Sequence, residues 1–390
     1  MLRFLTAGES HGPAISAILE GMPANVPVDL ERINHELYRR QQGYGRGGRM
    51  RMETDRIEVL SGIRFSKTLG SPISFMIRNK DWENWLEEMA IEAEDGKEGK
   101  EFTKPRPGHA DLAGGLKYDF VDLRNVLERS SARETAMRVA VGAFARELLR
   151  QFDIHIYSHV LQIGSVKVEM QKISDSLNTD RINEMADQSQ VRCLDADVSD
   201  KMIQVINDAK RAGDTVGGVF QVIIKNVPPG LGNYVHWDRK LDGQLAAAIM
   251  SINAIKAVQV GSGFYGAHLH GSDFHDEIYH DGKKFYRRTN NAGGIEGGMS
   301  TGEDIVLSVM KKPIPTLMKP LNSVDIKSKE AFKAHKERSD ITAVPAAAVI
   351  AEAVAAPVIA NALLDKFGGD TLPDIQLSFN NYLKRVYGAG

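Results

Sequence analysis

Apolar and polar positions alternate at the start of the chain. Leu2 and Phe4 mark one short strand, and Ile15, Ala17 and Leu19 line one side of a second within AISAILEGMPANVP. The period then lengthens. Leu30, Ile33 and Leu37 recur at helical spacing in VDLERINHELYRRQ, with Asp29 as its N-cap. A second helical stripe, Met137, Ala140, Val141, Phe144 and Leu148, starts near Ser131. Residues 160–210 are polar and yield one helix, DVSDKMIQVINDAKRAG. GGVFQVIIKNVPPGLG reads as a strong strand through Val219, Val222 and Ile224, with a turn at Pro228, Pro229 and Gly230. DRKLDGQLAAAIMSINAIKAV reads as a buried helix on Leu241, Leu245, Ala248, Ile249 and Ile252. The most apolar stretch, AVPAAAVIAEAVAAPVIANALL from Ala343 to Leu364, carries Glu352 and is broken by Pro345 and Pro357. It reads as buried helix rather than a bilayer span. Residues 83–106 are charged and punctuated by glycine, and read as an exposed excursion.

Alanine-rich helices between turn-linked strands predict a mixed α+β fold with a helical core. There is no clean βαβαβ alternation, so a doubly wound dinucleotide-binding sheet is not expected. No repeat or linker divides the sequence, and residues 1–390 are expected to form a single domain. Hydrophobic residues make up 42% and charged residues 26%, enough for a large core. The net charge of −2 excludes a polycation built for nucleic acid or membrane, so any affinity for anions must come from local clusters. Cys193 is the single cysteine and cannot form an internal disulfide. With no apolar leader at the N-terminus, a cytoplasmic protein is expected.

Chemistry concentrates in a few segments. GESHG places Glu9, Ser10 and His11 between Gly8 and Gly12, where a ligand can approach the backbone and His11 titrates nearest neutrality. RRQQGYGRGGRMR sets Arg39, Arg40, Arg46, Arg49 and Arg51 among Gly43, Gly45, Gly47 and Gly48. Guanidinium forks on so pliant a loop suit a small polyanion better than RNA. RSSARET, 129–135, combines a capping box of Ser131 and Glu134 with flanking Arg129 and Arg133, a second anion site. PRPGHAD carries His109 and Asp111 after a stiffened turn. NNAGGIEGGMSTGE, with Gly293, Gly294, Gly297 and Gly298, lacks the spacing of a nucleoside triphosphate loop, and KKPIPT follows it. HKERSDITAVPAAAVIAEA sets Arg338 and Asp340 before the buried helix. HLHGSDFHDEIYH gathers His268, His270, His275 and His280, but matches no familiar metal-ligand spacing, and no metal site is expected. An RNA-binding module and a flavin-independent phosphatase are the competing readings of these clusters.

In order along the chain, GESHGPAISAILEGMP, RSSARETAMRVAVGAF and RSDITAVPAAAVIAEAV resemble the N-terminal, central and C-terminal signatures of the chorismate synthase family. GDTVGG, INAIKAVQVG and NAGGIEGGMSTGE also look like segments of that family. Ile341 and Thr342 depart from the common pattern of the C-terminal signature. The resemblance covers nearly the whole chain. It implies a helical core sandwiched between antiparallel β-sheets, assembled as a homotetramer. It also implies a lyase that converts 5-enolpyruvylshikimate 3-phosphate to chorismate by anti 1,4 elimination of phosphate, with reduced FMN as cofactor. His11 would protonate the departing phosphate, His109 would protonate or hydrogen-bond the reduced flavin, and Asp340 would act near flavin N5. Ser10, Arg40, Arg46, Arg49, Arg133 and Arg338 would hold the substrate. Arg129, Ser130, Ser131, Asn253, Ala254, Gly297, Lys312, Pro313, Ile314, Pro315, Thr316 and Arg338 would hold FMN. NADPH enters as an indirect reductant through an external flavin reductase, since no nicotinamide fingerprint is present. Arg40 and Arg46 are assigned to substrate in preference to NADPH.

Overall fold

The computed structural model describes residues 1–47, 54–96, 101–334 and 340–388. Arg49, Arg51 and Arg338 lie outside the described residues. Strands β1 (Arg3–Ala7) and β2 (Ala14–Glu20) pair antiparallel and lead into helix α1 (Leu30–Gln41). Two further strands, β3 (Glu58–Val59) and β4 (Ile73–Arg78), complete a sheet of order β1-β2-β4-β3. Helices α2 (Asp111–Tyr118), α3 (Arg124–Ser130) and α4 (Thr135–Arg150) follow. Then come β5 (His155–Ile163), β6 (Val166–Lys167), α5 (Ala196–Arg211), β7 (Gly218–Lys225), α6 (Leu241–Met250), β8 (Ile255–Val260) and β9 (Ile305–Lys311). These five strands form a second antiparallel sheet of order β8-β9-β7-β5-β6. Helices α7 (Val344–Phe367) and α8 (Leu372–Tyr387) close the chain. The fold is mixed α+β, as the periodicity predicts.

The reason for each boundary is local. The Asp29 carboxylate accepts from the backbone N–H groups of Glu31 and Arg32, at 3.0 and 3.3 Å, and starts α1. Ile33 and Leu37 are buried on that helix, whereas Leu30, in its first turn, is exposed. Ile15, Ala17 and Leu19 are buried on β2, as their alternation requires. The capping box at Ser131 is only half made. Ser131 Oγ accepts from Arg133 N–H and caps a single 3-10 turn, 132–134, before α4 begins. The Glu134 carboxylate turns instead to Thr6 and Arg138.

Three expectations are corrected. The region 160–210 holds more than one helix: β5 enters it, and short helices Met170–Leu177 and Ile182–Gln188 precede α5. The helix predicted through Val258 stops at Met250, and Ala254 takes a left-handed turn, φ 67°, into β8. The apolar C-terminal helix is not broken. Pro345 sits in its first turn, where a missing N–H costs nothing, and Pro357 is accommodated inside a continuous α7.

Helix α7 packs on α1, α4 and α6 and on strands β5 and β7, while α4 packs on β1 and β2 as well. Covered on so many sides, α7 is apolar all round. It is the one helix among the described residues long and apolar enough to cross a bilayer, and 83% of its most apolar window is buried in the protein. Pro357 removes the N–H that would bond the carbonyl of Ala353. Gly142 of α4 lies against this same carbonyl, and a Cβ there would sit 2.1 Å from its oxygen. A side chain at 142 would therefore force the two helices apart.

Glu352 is the polar exception on α7, with 0% exposure. It accepts from Arg39, Arg146, Arg192, Ser158 and Asn183, at 2.9, 2.9, 3.3, 2.5 and 2.9 Å. Burial alone would raise its carboxyl, but Arg39 and Arg146 hold it well below its ordinary value. Removing this carboxylate strands buried cations, so Glu352→Ala is expected to cost about 3–5 kcal/mol of unfolding free energy. Urea denaturation checks this, and a loss below about 1 kcal/mol would show that the cluster carries little of the fold.

Candidate active site

The GESHG loop joins β1 to β2 and is held from two sides. The backbone N–H of Ser10 donates to the carbonyl of Glu128 at 3.0 Å, and Asn79 Nδ2 donates to the carbonyl of Gly12 at 2.6 Å. Gly8, at φ 107°, has no room for a Cβ, which would lie 2.5 Å from the carbonyl of Ala14. The His11 imidazole meets the buried Glu128 carboxylate through Nδ1 at 2.8 Å and stacks on Trp85 with ring centroids 3.9 Å apart. Ser10 Oγ meets Ser131 Oγ at 3.0 Å. Beneath the loop, Arg133 donates to Asn79 at 2.9 Å and to both oxygens of Asp55 at 2.7 Å. Arg40 donates to Thr135 Oγ1 at 3.0 Å and to the carbonyl of Ala132 at 2.9 Å.

A second group forms around PRPGHAD. Asp111 is fully buried and accepts from Arg106 Nε at 2.9 Å and from His109 Nδ1 at 2.5 Å. Burial would raise the Asp111 carboxyl, but the hydrogen bonds from His109 and Arg106 hold it well below the usual carboxylate range. Arg106 also donates to Thr316 at 3.3 Å, and Lys312 Nζ donates to the carbonyl of Gly108 at 2.6 Å. Residues 312–316 thus lie along the 106–109 loop.

The third group closes the circuit. Arg46 pairs with Asp340 at 2.8 Å, and the Gly47 N–H donates to Asp340 Oδ1 at 2.6 Å. The Ile341 N–H donates to the carbonyl of Gly45 at 2.8 Å, so the two loops are laced together. Lys311, at the buried end of β9, is pushed down to about 8 by burial, with Asp340 opposing the shift and Arg46 adding to it.

The three groups are joined by short links. Asn253 Nδ2 donates to the carbonyl of Ser130 at 2.9 Å, and Lys312 N–H donates to the carbonyl of Ala254 at 2.9 Å. Ile314 is anchored by Thr215 Oγ1 at 2.7 Å. One path therefore runs from His11 through Glu128, Ser130, Asn253, Ala254 and Lys312 to Gly108 and His109. Arg129 is exposed and donates to the carbonyls of Thr6 and Gly8, at 2.8 and 3.1 Å. Gly297 belongs to a different local structure. It tops the hairpin of Ile295–Glu296 and Met299–Ser300, and the neighbouring Gly298 carbonyl accepts from Asn233 and Leu241.

Arg106, Glu128, Asp55, Asn79, Trp85 and Lys311 did not stand out as functional residues in the sequence. Arg106 had a readable signal, its position three residues before His109 with Asp111 two after. The others did not, because their partners are distant in the chain. The excursion at 83–106 is exposed for most of its described length, but Trp85 and Arg106 turn inward from it. His268, His270, His275 and His280 lie in a connector and a hairpin strand. Among the described residues no group of three or more His, Cys, Asp or Glu could hold a metal ion.

A cavity of about 1310 Å³ lies elsewhere. It opens between the end of α1, the 42–46 loop, the start of β5 and residues 180–192. Of the predicted site residues that are described, only Arg46 lines it. Much of its charge is already neutralised in the ion pairs of Arg39 and Arg146 with Glu36 and Glu352. Volume alone favours this cavity, but the imidazoles, carboxylates and cations able to move protons lie along the other path.

Comparison with known proteins decides the family. The chorismate synthase family profile matches residues 2–364. The chain belongs to the chorismate synthase family. It is 56% identical to the chorismate synthase of Alkaliphilus metalliredigens over 383 residues, covering 98% of this chain and 99% of that one. It is 54% identical to that of Aquifex aeolicus over 390 residues, covering 99% and 98%. A crystal structure of a chorismate synthase superposes with a TM-score of 0.80 at 43% identity, covering 100% of this chain and 99% of the other. Chorismate synthase is a lyase of the shikimate pathway, leading to the aromatic amino acids, and the chain is an enzyme of that class.

The buried Lys311 makes a measurable cost. Its value in the fold, about 8, lies below the 10.5 of an ordinary lysine. Between these values the unfolded chain binds more protons, so stability rises with pH across that window, and the full cost is present below it. Lys311→Met is expected to stabilise the protein at pH 7 by up to about 3 kcal/mol. The gain should shrink toward pH 10.5, the ordinary lysine value. Urea midpoints measured across that range test the sign, and a gain independent of pH would contradict it.

Proposed function

We propose that this chain catalyses the anti 1,4 elimination of phosphate from 5-enolpyruvylshikimate 3-phosphate to give chorismate, with reduced FMN as cofactor. The observation that carries this reading is the hydrogen-bonded path linking the His11, His109 and Lys312 segments in a chain of this family. The layering of α1, α4 and α7 is read as a helical core between the two sheets. A continuous hydrophobic cluster from Leu2 to Phe379 supports taking residues 1–390 as one domain.

The substrate carries a phosphate and two carboxylates, so a locally basic site is needed in a near-neutral chain. Ser10, Arg40, Arg46, Arg49, Arg133 and Arg338 are the groups proposed to bind it. Arg40 and Arg133 are anchored on Asp55, and Arg46 on Asp340, so their forks are held in place before substrate arrives. The residues around 106–109 and 312–316 suit FMN: Arg106, Lys312 and Asn253 are donors fit for a phosphate and an anionic ring. Arg129, Ser130, Ser131, Asn253, Ala254, Gly297, Lys312 to Thr316 and Arg338 are proposed to hold it. When bound and reduced, FMN supplies transient electron density to the substrate's π system, which weakens the C3–O bond to phosphate. His11 gives a proton to the departing phosphate. His109, steadied by buried Asp111 and beside Arg106, would protonate or hydrogen-bond the reduced flavin. Asp340 would act near flavin N5 as C6 loses its hydrogen.

A cytoplasmic homotetramer, supplied with reduced flavin by an external reductase that draws on NADPH, completes the proposal. Nucleic acid is not a partner in this reading; Arg39 and Arg40, from the arginine-rich stretch, point into the protein and are 5% and 3% exposed.

Anaerobic assay with 5-enolpyruvylshikimate 3-phosphate is expected to yield chorismate and phosphate only when chemically reduced FMN is added. Phosphate release without reductant would favour a phosphatase instead. In the same assay His11→Ala should lose about 10²-fold or more in turnover with FMN affinity little changed. Asp340→Asn should fold normally and slow single-turnover chemistry at least about 10-fold. A wild-type single-turnover rate in that variant would remove Asp340 from the mechanism.

A further inference from the structure

Glu128 makes more contacts to the GESHG loop than a structural brace requires. It sits on α3 with a side chain 2% exposed. One carboxylate oxygen, Oε1, lies 2.8 Å from His11 Nδ1. The other, Oε2, accepts the backbone N–H of His11 at 2.8 Å and lies 3.1 Å from Nδ1. The backbone carbonyl of Glu128 takes the N–H of Ser10. The same residue thus fixes the loop through its main chain and the imidazole through its carboxylate. Two other groups bear on the ring. Trp85 stacks on it, with its Nε1 donating to Asp81 at 2.9 Å. Arg124, one turn before Glu128 on α3, lies 3.7 Å from Glu128 Oε1 and 5.1 Å from the Trp85 ring centroid.

An ionised carboxylate can only accept hydrogen bonds. Facing Nδ1, it requires the proton there and leaves Nε2 as the nitrogen that exchanges a proton with a ligand. We propose that Glu128 is a positioning residue for the reaction: it sets the tautomer and the plane of His11 so that Nε2 faces the departing phosphate. This rests on the reading of His11 as the proton donor. As the C3–O bond breaks, its electron pair goes to the phosphate oxygen. The Nε2 proton passes to that phosphate, and the imidazole is left neutral with its remaining proton on Nδ1, held by Glu128. A carboxylate that orients a histidine in this way is a recurring arrangement in catalysis, and its amide analogue permits the wrong tautomer.

Glu128→Gln separates this role from bracing. The amide fills the same space and still accepts from the backbone, but it can donate to Nδ1. In the full-length protein labelled with ¹⁵N-histidine, the His11 signal is assigned by its loss in His11→Asn. Wild type is expected to show a protonated Nδ1 in the neutral ring, and Glu128→Gln to shift the proton to Nε2. kcat with chemically reduced FMN should fall by about 10²-fold or more, while KM for substrate and FMN affinity stay at wild-type values. Wild-type kcat in Glu128→Gln, or a rise in KM with kcat unchanged, overturns the proposal. If the Gln variant does not fold, Glu128→Asp carries the test, since it keeps the charge and withdraws it by one methylene. There a kcat lowered at least about 10-fold at unchanged KM supports the role, and wild-type kcat overturns it. Wild-type turnover in His11→Ala would overturn the catalytic reading of His11 itself and leave the tautomer measurement standing, so the two failures are read apart.

Discussion

A carboxylate with no access to water organises this protein. Glu352 lies on the most apolar helix of the chain, and an unpaired charge there would be intolerable. Its partners come from α1, α4, β5 and the 183–192 segment, so satisfying one charge fixes the mutual positions of four parts of the chain. The bond from Arg39 places the end of α1, and with it Arg40. The bond from Arg146 places α4 and the 3-10 turn just before it, which carries Arg133. The candidate site is therefore hung from helices whose register is set about a buried ion cluster, and burial of this kind favours a single arrangement over slipped ones.

Close helix packing supplies the second constraint. Pro357 frees the Ala353 carbonyl, and Gly142 allows α4 to approach it. Arg146, one turn further along α4, bonds Glu352 across the same helix pair. The alanine-rich surface of α7 serves the same end, because small side chains let neighbouring helices and strands come near. The stability of the core and the placement of the basic residues thus share one physical origin.

Around the candidate site, each side chain proposed to handle a proton has its own buried or half-buried partner: His11 with Glu128, His109 with Asp111, Asp340 with Arg46. Such pairing holds reactive groups in one orientation without neutralising the site as a whole.

By itself, the sequence determined the strand and helix periods, the Asp29 cap, the mixed α+β class and the ordered signatures that resemble one family. These are local signals, carried by residues a few positions apart. It did not determine the β5 strand in a polar stretch, since pairing to β7 across more than fifty residues of chain decides that. It did not determine that Pro357 would be accommodated inside a continuous α7, because that helix is held on all sides by distant parts of the chain. Least of all did it show the partners of the site residues. His11 and Glu128 are 117 positions apart, and Gly47 and Asp340 are 293. No period or spacing encodes such pairs. Only the folded chain, with its helices locked by a buried charge, brings them within a hydrogen bond.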